Sequence, residues 1–168
     1  IGCTSFFPSK NLGCYGDGGA IFTDDDEVAQ KMRIIANHGQ SKQYFHSVIG
    51  VNSRLDSVQA AILNIKLKYL DDYCAARIKT AEFYEEAFKD ISELQTPVRE
   101  EHSTHVFHQY TLRVKNGKRN ELQKYLGENG IPAMIYYPVP LYRQEAFAES
   151  VPAEFALPVT EKLCAEVL

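Results

Sequence analysis

Lys10 lies in the run Thr4-Ser5-Phe6-Phe7-Pro8-Ser9-Lys10-Asn11-Leu12-Gly13, and a glycine-rich stretch, Gly16-Asp17-Gly18-Gly19, follows closely. A lysine amine is a nucleophile when it is neutral and held in place, as in an imine with a carbonyl cofactor. Ser5 and Ser9 put hydroxyls five residues and one residue before it, and the small residues after it let a phosphorylated group approach the backbone. Read by itself, the spacing admits two meanings: a cofactor lysine, or a solvated loop lysine ahead of a turn.

Other residues with chemical potential are weaker. Asn52 reads as a turn residue before a helix, and Arg54 as either an anion-binding fork or a solvated side chain. His102, His105 and His108 form an H-x-x-H-x-x-H run. On a strand, positions three apart face opposite sides, so the three imidazoles do not converge on one ion, and no metal is expected. Cys3, Cys14, Cys74 and Cys164 include no C-x-x-C pair, which argues against a cluster and for reduced, mostly buried thiols in a cytoplasmic protein.

Elements must position these groups. The first residues read as the close of a strand, and Gly18 to Thr23 as a second, short one. Glycines that feed a strand, spaced at 13, 16, 18 and 19, miss the G-x-G-x-x-G register of a dinucleotide fold, and no Gly-Lys-Ser/Thr follows for a P-loop. Asp24 and Glu27 open a helix carrying Val28, Met32 and Ile35, which stops at Gly39. Gln40 to Val51 lacks periodicity and reads as a loop. From Leu55 a helical pattern without glycine or proline runs to about Lys89, with Leu55, Val58, Ile62 and Ile65 on one face. Tyr110 to Val114 reads as a strand, Asn116-Gly117 as a turn, Lys118 to Asn129 as a helix ended by Gly130, and Ile131 to Tyr137 as a further strand. Pro138, Pro140, Pro152 and Pro158 break the tail into short helical pieces.

The chain has 168 residues, 45% hydrophobic and 24% charged, with a net charge of −4. That is an ordinary globular composition, able to bury one core or two small ones. Interspersed charge leaves no footprint for nucleic acid or an anionic membrane, and no apolar run is long enough to cross a bilayer.

Three segments carry a resemblance to a known family: Phe6-Phe7-Pro8-Ser9-Lys10-Asn11-Leu12-Gly13, Val51-Asn52-Ser53-Arg54-Leu55-Asp56, and Ile131-Pro132-Ala133-Met134-Ile135-Tyr136-Tyr137-Pro138. Their order resembles the pyridoxal-phosphate sugar aminotransferases of the DegT–DnrJ–StrS group, in particular the branch that aminates nucleotide-linked 3-ketosugars. The resemblance implies an α/β fragment of a fold-type I transferase, with about half of the family's chain lying upstream and a short piece downstream. Residues 1–54 would be the C-terminal remnant of the large cofactor domain, 55–90 a long interdomain helix, and 91–168 a small α+β domain.

The resemblance also implies roles. Lys10 is the lysine that condenses with pyridoxal 5'-phosphate and later relays a proton, which requires an amine neutral part of the time. Ser5 donates to the cofactor phosphate, and Asn52 reaches that phosphate across the interface of an obligate homodimer. Arg54 suits a nucleotide diphosphate or a carboxylate, while Tyr136 and Tyr137 match a segment lining the sugar site. Many relatives have His-Tyr-Pro where this chain has Tyr-Tyr-Pro, so the match is better at Tyr137 than at Tyr136. Dehydrating relatives carry histidine at the lysine position, and Lys10 sets this chain apart from them. The implied reaction is transamination of a nucleotide-linked ketosugar, a UDP-3-keto sugar or sugar acid, with L-glutamate as amino donor. The rival reading is a catalytically silent dimerisation or regulatory fragment without a complete cofactor site.

Overall fold

A computed structural model describes residues 1–152 and 154–168. The chain divides into two compact units, Ile1–Ala76 and Arg77–Leu168.

The first unit begins with an antiparallel pair, β1 (Gly2–Ser5) and β2 (Gly19–Phe22), in the register Gly2↔Phe22 to Ser5↔Gly19. Helix α1 (Asp26–Ala36) follows. Its cap is Asp25, one residue later than Asp24, because the Asp25 carboxylate accepts from the Glu27 and Val28 amides. His38 and Gly39 then turn the chain with φ of 61° and 75°.

Residues 40–51 were expected to form a loop, and the expectation fails in part. Strands β3 (Gln40–Lys42) and β4 (Phe45–His46) make a bulged hairpin too short to show a period. Its neck is closed by glycines: a Cβ on Gly39 would meet the Val48 oxygen at 1.8 Å, and one on Gly50 would meet the Gly39 nitrogen at 2.1 Å. Only a chain without side chains at both positions can cross itself so closely.

The long helix is interrupted. Helix α2 (Ser57–Lys66), capped by Asp56, passes through a 3-10 turn at Leu67–Tyr69 into α3 (Leu70–Phe88). The inward face also differs from the expected one. Leu63 is buried, whereas Val58 and Ile65 are exposed. Among the described residues, the buried apolar side chains of this unit are Cys14 and Leu63, a sparse core beside much exposed apolar surface. The cysteines follow suit: Cys14 is buried, Cys74 and Cys164 partly so, and Cys3 is exposed, so most are not buried as expected; all four are free.

The second unit is organised around chain crossings. Strands β5 (Leu94–Gln95) and β6 (Arg113–Val114) pair antiparallel, and Leu112 exchanges both backbone bonds with Leu168 on the other side. Tyr110 to Leu112, expected in the strand, therefore sit outside the β5 ladder. Asn116 and Gly117 turn with φ of 61° and 71° into α4 (Arg119–Glu128), and Gly130 ends it. Ile131 to Tyr137 form no strand; Gln123 Nε2 instead donates to the Ala133 carbonyl, tying this stretch to α4. Helix α5 (Pro158–Glu166) starts with proline in its first turn. Arg119, nearly buried, donates to the Cys164 and Val167 carbonyls at 3.2 and 3.0 Å, satisfying groups at the end of α5.

Phe107 is 3% exposed with φ of 44°, a strained conformation for a bulky residue. Arg77 holds it there by donating to the Phe107 and His108 carbonyls. His105 Nδ1 accepts from the Phe107 amide at 3.0 Å and the imidazole stacks on the Phe107 ring, so this histidine serves local packing. The Tyr110 hydroxyl is buried beside these rings, and burial, with Glu85 adding to it, raises its pKa above the ordinary phenol value.

In the tail, the Tyr142 hydroxyl donates to Glu161 and accepts from the Leu157 amide, and Arg143 Nη2 donates to Glu161 at 3.1 Å. The Tyr142 bond first, and the Arg143 bond second, hold the Glu161 carboxyl below its ordinary value. A lowered folded value stabilises the fold above the ordinary carboxylate range, and the contribution disappears as pH falls through the lowered value. We therefore expect Glu161→Gln to lower the urea midpoint at neutral pH. The gap from wild type should narrow as pH falls below the ordinary carboxylate range and through the lowered value. A gap independent of pH would contradict the assignment.

Candidate functional site

The site is built on the loop between β1 and β2. Pairing of Ser5 with Gly19 brings the loop ends together, and the Phe6 amide then donates to the Gly18 carbonyl at 2.8 Å. Inside that stem, the Cys14 amide and thiol both donate to the Phe6 carbonyl, at 2.8 and 3.0 Å, and the thiol also lies 2.9 Å from the Gly16 carbonyl. Cys14 is fully buried and works as a small plug with a donor, a structural use of a thiol.

Lys10 ends a tight turn. Its amide donates to the Phe7 carbonyl at 2.9 Å, with Pro8 at the second position, where its fixed φ suits such a turn. Lys10 as a residue is half-buried and has a further interaction within the fold. The next turn is packed without room for a side chain: a Cβ on Gly13 would meet the Pro8 and Phe7 carbonyl oxygens at 2.5 and 2.7 Å. Beyond the loop, the Asn11 amide group lies 3.6 Å from the Cys74 sulfur on α3, the Tyr15 amide donates to Gln59 on α2, and Lys66 donates to the Gly13 carbonyl. Sequence reasoning did not single out Gln59 or Lys66, and it read Cys74 only as one of four reduced thiols. The available signal was that Gln59 and Lys66 are seven apart, two turns along one helix face.

Ser5 is exposed at the end of β1, and its Oγ accepts from the Phe7 amide at 3.2 Å. A hydroxyl that accepts there can still donate. Asn52 is exposed and bridges to Asn37 across the antiparallel backbone, so it is a strand-like residue four positions ahead of the Asp56 cap. Arg54 Nε donates to Asn52 Oδ1 at 3.1 Å. Because a guanidinium only donates, the atom facing it must be the amide oxygen, which leaves the Asn52 NH₂ as the donating end. The structure thus joins Lys10 and Ser5 in one loop stem and joins Asn52 to Arg54. Tyr136 and Tyr137 belong to the second unit; both are exposed, with ring centroids 5.5 Å apart.

The model of the DegT/DnrJ/EryC1/StrS aminotransferase family matches residues 1–168. The chain belongs to this family. Its fold is the corresponding part of that family's α/β architecture. It is 50% identical over 168 residues to a pleiotropic regulatory protein of Geobacillus stearothermophilus, covering 98% of this chain and 44% of the relative. It is 46% identical to the UDP-2-acetamido-2-deoxy-3-oxo-D-glucuronate aminotransferase of Pseudomonas aeruginosa, covering 100% of this chain and 45% of the relative. The crystal structure of DesV from S. venezuelae, in complex with a ketimine intermediate, superposes with a TM-score of 0.91 at 38% identity, over 98% of this chain and 44% of that one. The chain therefore spans less than half the length of the relatives it matches. DegT/DnrJ/EryC1/StrS aminotransferases depend on pyridoxal phosphate.

The donor set here fits that cofactor. A primary amine on a fixed turn can capture its aldehyde, and a hydroxyl and an amide NH₂ can serve a phosphate without adding charge. Among the described residues, no group of three or more histidine, cysteine or acidic side chains is placed to hold a metal.

The loop packing yields a contrast between two glycines. Gly13→Ala drives a methyl into fixed backbone oxygens, whereas a Cβ on Gly16 meets only the tip of the Gln59 side chain at 3.2 Å. Denaturant unfolding should show Gly13→Ala destabilised by about 2 kcal/mol or more, with Gly16→Ala within about 1 kcal/mol of wild type. Equal effects would mean that the loop is not packed as described.

Proposed function

We propose that the protein carrying this chain transaminates a nucleotide-linked ketosugar, with L-glutamate as amino donor, in aminosugar or polysaccharide biosynthesis in the cytoplasm. The observation that carries the reading is the setting of Lys10, a half-buried residue on a turn inside a stem-closed loop, in a chain matched over its whole length by an aminotransferase family. When bound, pyridoxal phosphate supplies an aldehyde to capture amines and a ring that delocalises the electron pair left after proton removal.

Lys10 Nζ would hold the cofactor's aldehyde carbon and, as a free amine, would carry the proton during amine transfer. Ser5 Oγ and the Asn52 NH₂ bind the phosphate, and Arg54, oriented by Asn52, binds an anionic part of the sugar nucleotide. Tyr136 and Tyr137 line the sugar site. The substrate is a UDP-3-keto sugar or sugar acid, a choice supported by the name of the Pseudomonas relative. The working form is a homodimer in which Asn52 serves the partner's site. The hairpin before Asn52 supports this. Tyr44, at the turn of the hairpin, and Ile49, beside its glycine neck, are 80% and 98% exposed, a costly display for a surface that meets only water. Residues 1–54 are read as the remnant of the cofactor domain, 55–90 as the connecting helix and 91–168 as the small domain.

The full-length protein loaded with pyridoxal phosphate should absorb in the near ultraviolet and visible, and borohydride should fix the label on Lys10. Lys10→Ala should abolish both the label and glutamate consumption across a panel of ketosugar nucleotides. A full-length protein that stays colourless, or wild-type turnover by Lys10→Ala, ends the assignment and returns the chain to a non-catalytic role.

A further inference from the structure

We infer that Gln59 and Lys66 are positioning residues for Lys10, clamping the far side of the lysine loop to α2. The inference rests on Lys10 being the reacting amine. The loop is held at its stem by β1–β2 pairing and by Cys14, but a stem fixes only the ends. The distal limb, residues 13–15, lies next to α2. There Gln59 Oε1 accepts from the Tyr15 amide at 2.7 Å, and Lys66 Nζ donates to the Gly13 carbonyl. Gln59 and Lys66 are seven residues apart, so one face of the helix delivers both. The Lys66 ammonium also lies 5.5 Å from the Tyr15 ring centroid, a cation–π distance.

The use of a lysine here is informative. Fixing its long side chain against a carbonyl costs rotamer freedom. A charge-assisted bond to a part-buried carbonyl offsets that cost, and its direction is fixed by a group that cannot accept. The carbonyl belongs to Gly13, the residue whose missing Cβ lets the backbone pack on Pro8 and Phe7, the start of the turn that ends at Lys10. Force on Gly13 is therefore transmitted through direct backbone contact to the Lys10 turn. A displacement on the order of 1 Å at a reacting amine is enough to cost about a hundredfold in rate.

The test uses the full-length protein, in cofactor-free and loaded forms. Lys66→Met removes the donor and keeps the apolar stem, while Lys66→Arg restores a donor. Gln59→Leu removes the acceptor, while Gln59→Glu restores one. In the loaded protein, Lys66→Met and Gln59→Leu should lower kcat by about tenfold or more with KM for the amino donor within about threefold, and the conservative variants should recover most of kcat. In the cofactor-free protein, the Tyr15 amide should exchange with solvent faster in Gln59→Leu and not in Gln59→Glu. If Lys66→Met does not fold, the Gln59 pair decides. Where borohydride labels Lys10 in a separate wild-type sample, unchanged kcat per folded molecule or unchanged Tyr15 exchange in Gln59→Leu overturns the clamp and leaves the function standing. Absence of the Lys10 label in wild type overturns both.

Discussion

The pairing of Ser5 with Gly19 is the constraint on which the rest of the first unit depends. It turns a thirteen-residue excursion into a closed loop, and the buried Cys14 thiol then draws the interior of that loop onto the Phe6 carbonyl. Backbone groups that a free loop would leave to water are satisfied internally. The amine of Lys10 inherits its position from this arrangement. The local turn fixes the direction in which it leaves the backbone, and contacts from α2 and α3 fix where the turn sits. A reactive side chain on a loop is here as constrained as one on a regular element.

Burial elsewhere is thin, and its distribution is instructive. Polar contacts do work that apolar packing does in larger cores. Arg119 secures α5 by its terminal carbonyls, Arg77 secures the Phe107 turn, and Arg113 pairs with Glu166 through Nε and Nη2. Each guanidinium joins segments distant in sequence with a rigid fork, giving orientation as well as energy. Many large apolar side chains are exposed, on the hairpin and on β2 especially, in a chain that spans less than half the length of the relatives it matches.

Local chemistry was legible in the sequence wherever one or two residues dictate the backbone. Asn116-Gly117, Gly130, the short strand after the glycines and the α1 start within one residue were read correctly for that reason. Periodicity failed where tertiary contacts decide. Val58 and Ile65 look like core residues by spacing yet face out, and Leu63 is buried instead. Ile131 to Tyr137 has strand composition but no partner to pair with, being tied to α4 through Gln123. The β3–β4 hairpin is too brief for any period, so only the glycines at its neck hinted at structure. For the site, residue order marked Lys10, whereas the residues that contact its loop from α2 offered only a seven-residue spacing, because nothing in a helix pattern distinguishes a lysine in water from one on a carbonyl.

The crossing at Gly39 and Gly50 has an architectural consequence. Where the two backbones touch, the hairpin between them becomes a sealed ring whose circumference is independent of the frame carrying Asn52. Residues at the ring's tip, Gln43 and Tyr44, lie between the paired strands and away from that waist, so they can vary without pressing on it. Such a chain can diversify what its tip touches while keeping its anchor invariant, a separation of variable and fixed parts achieved by two missing methyl groups.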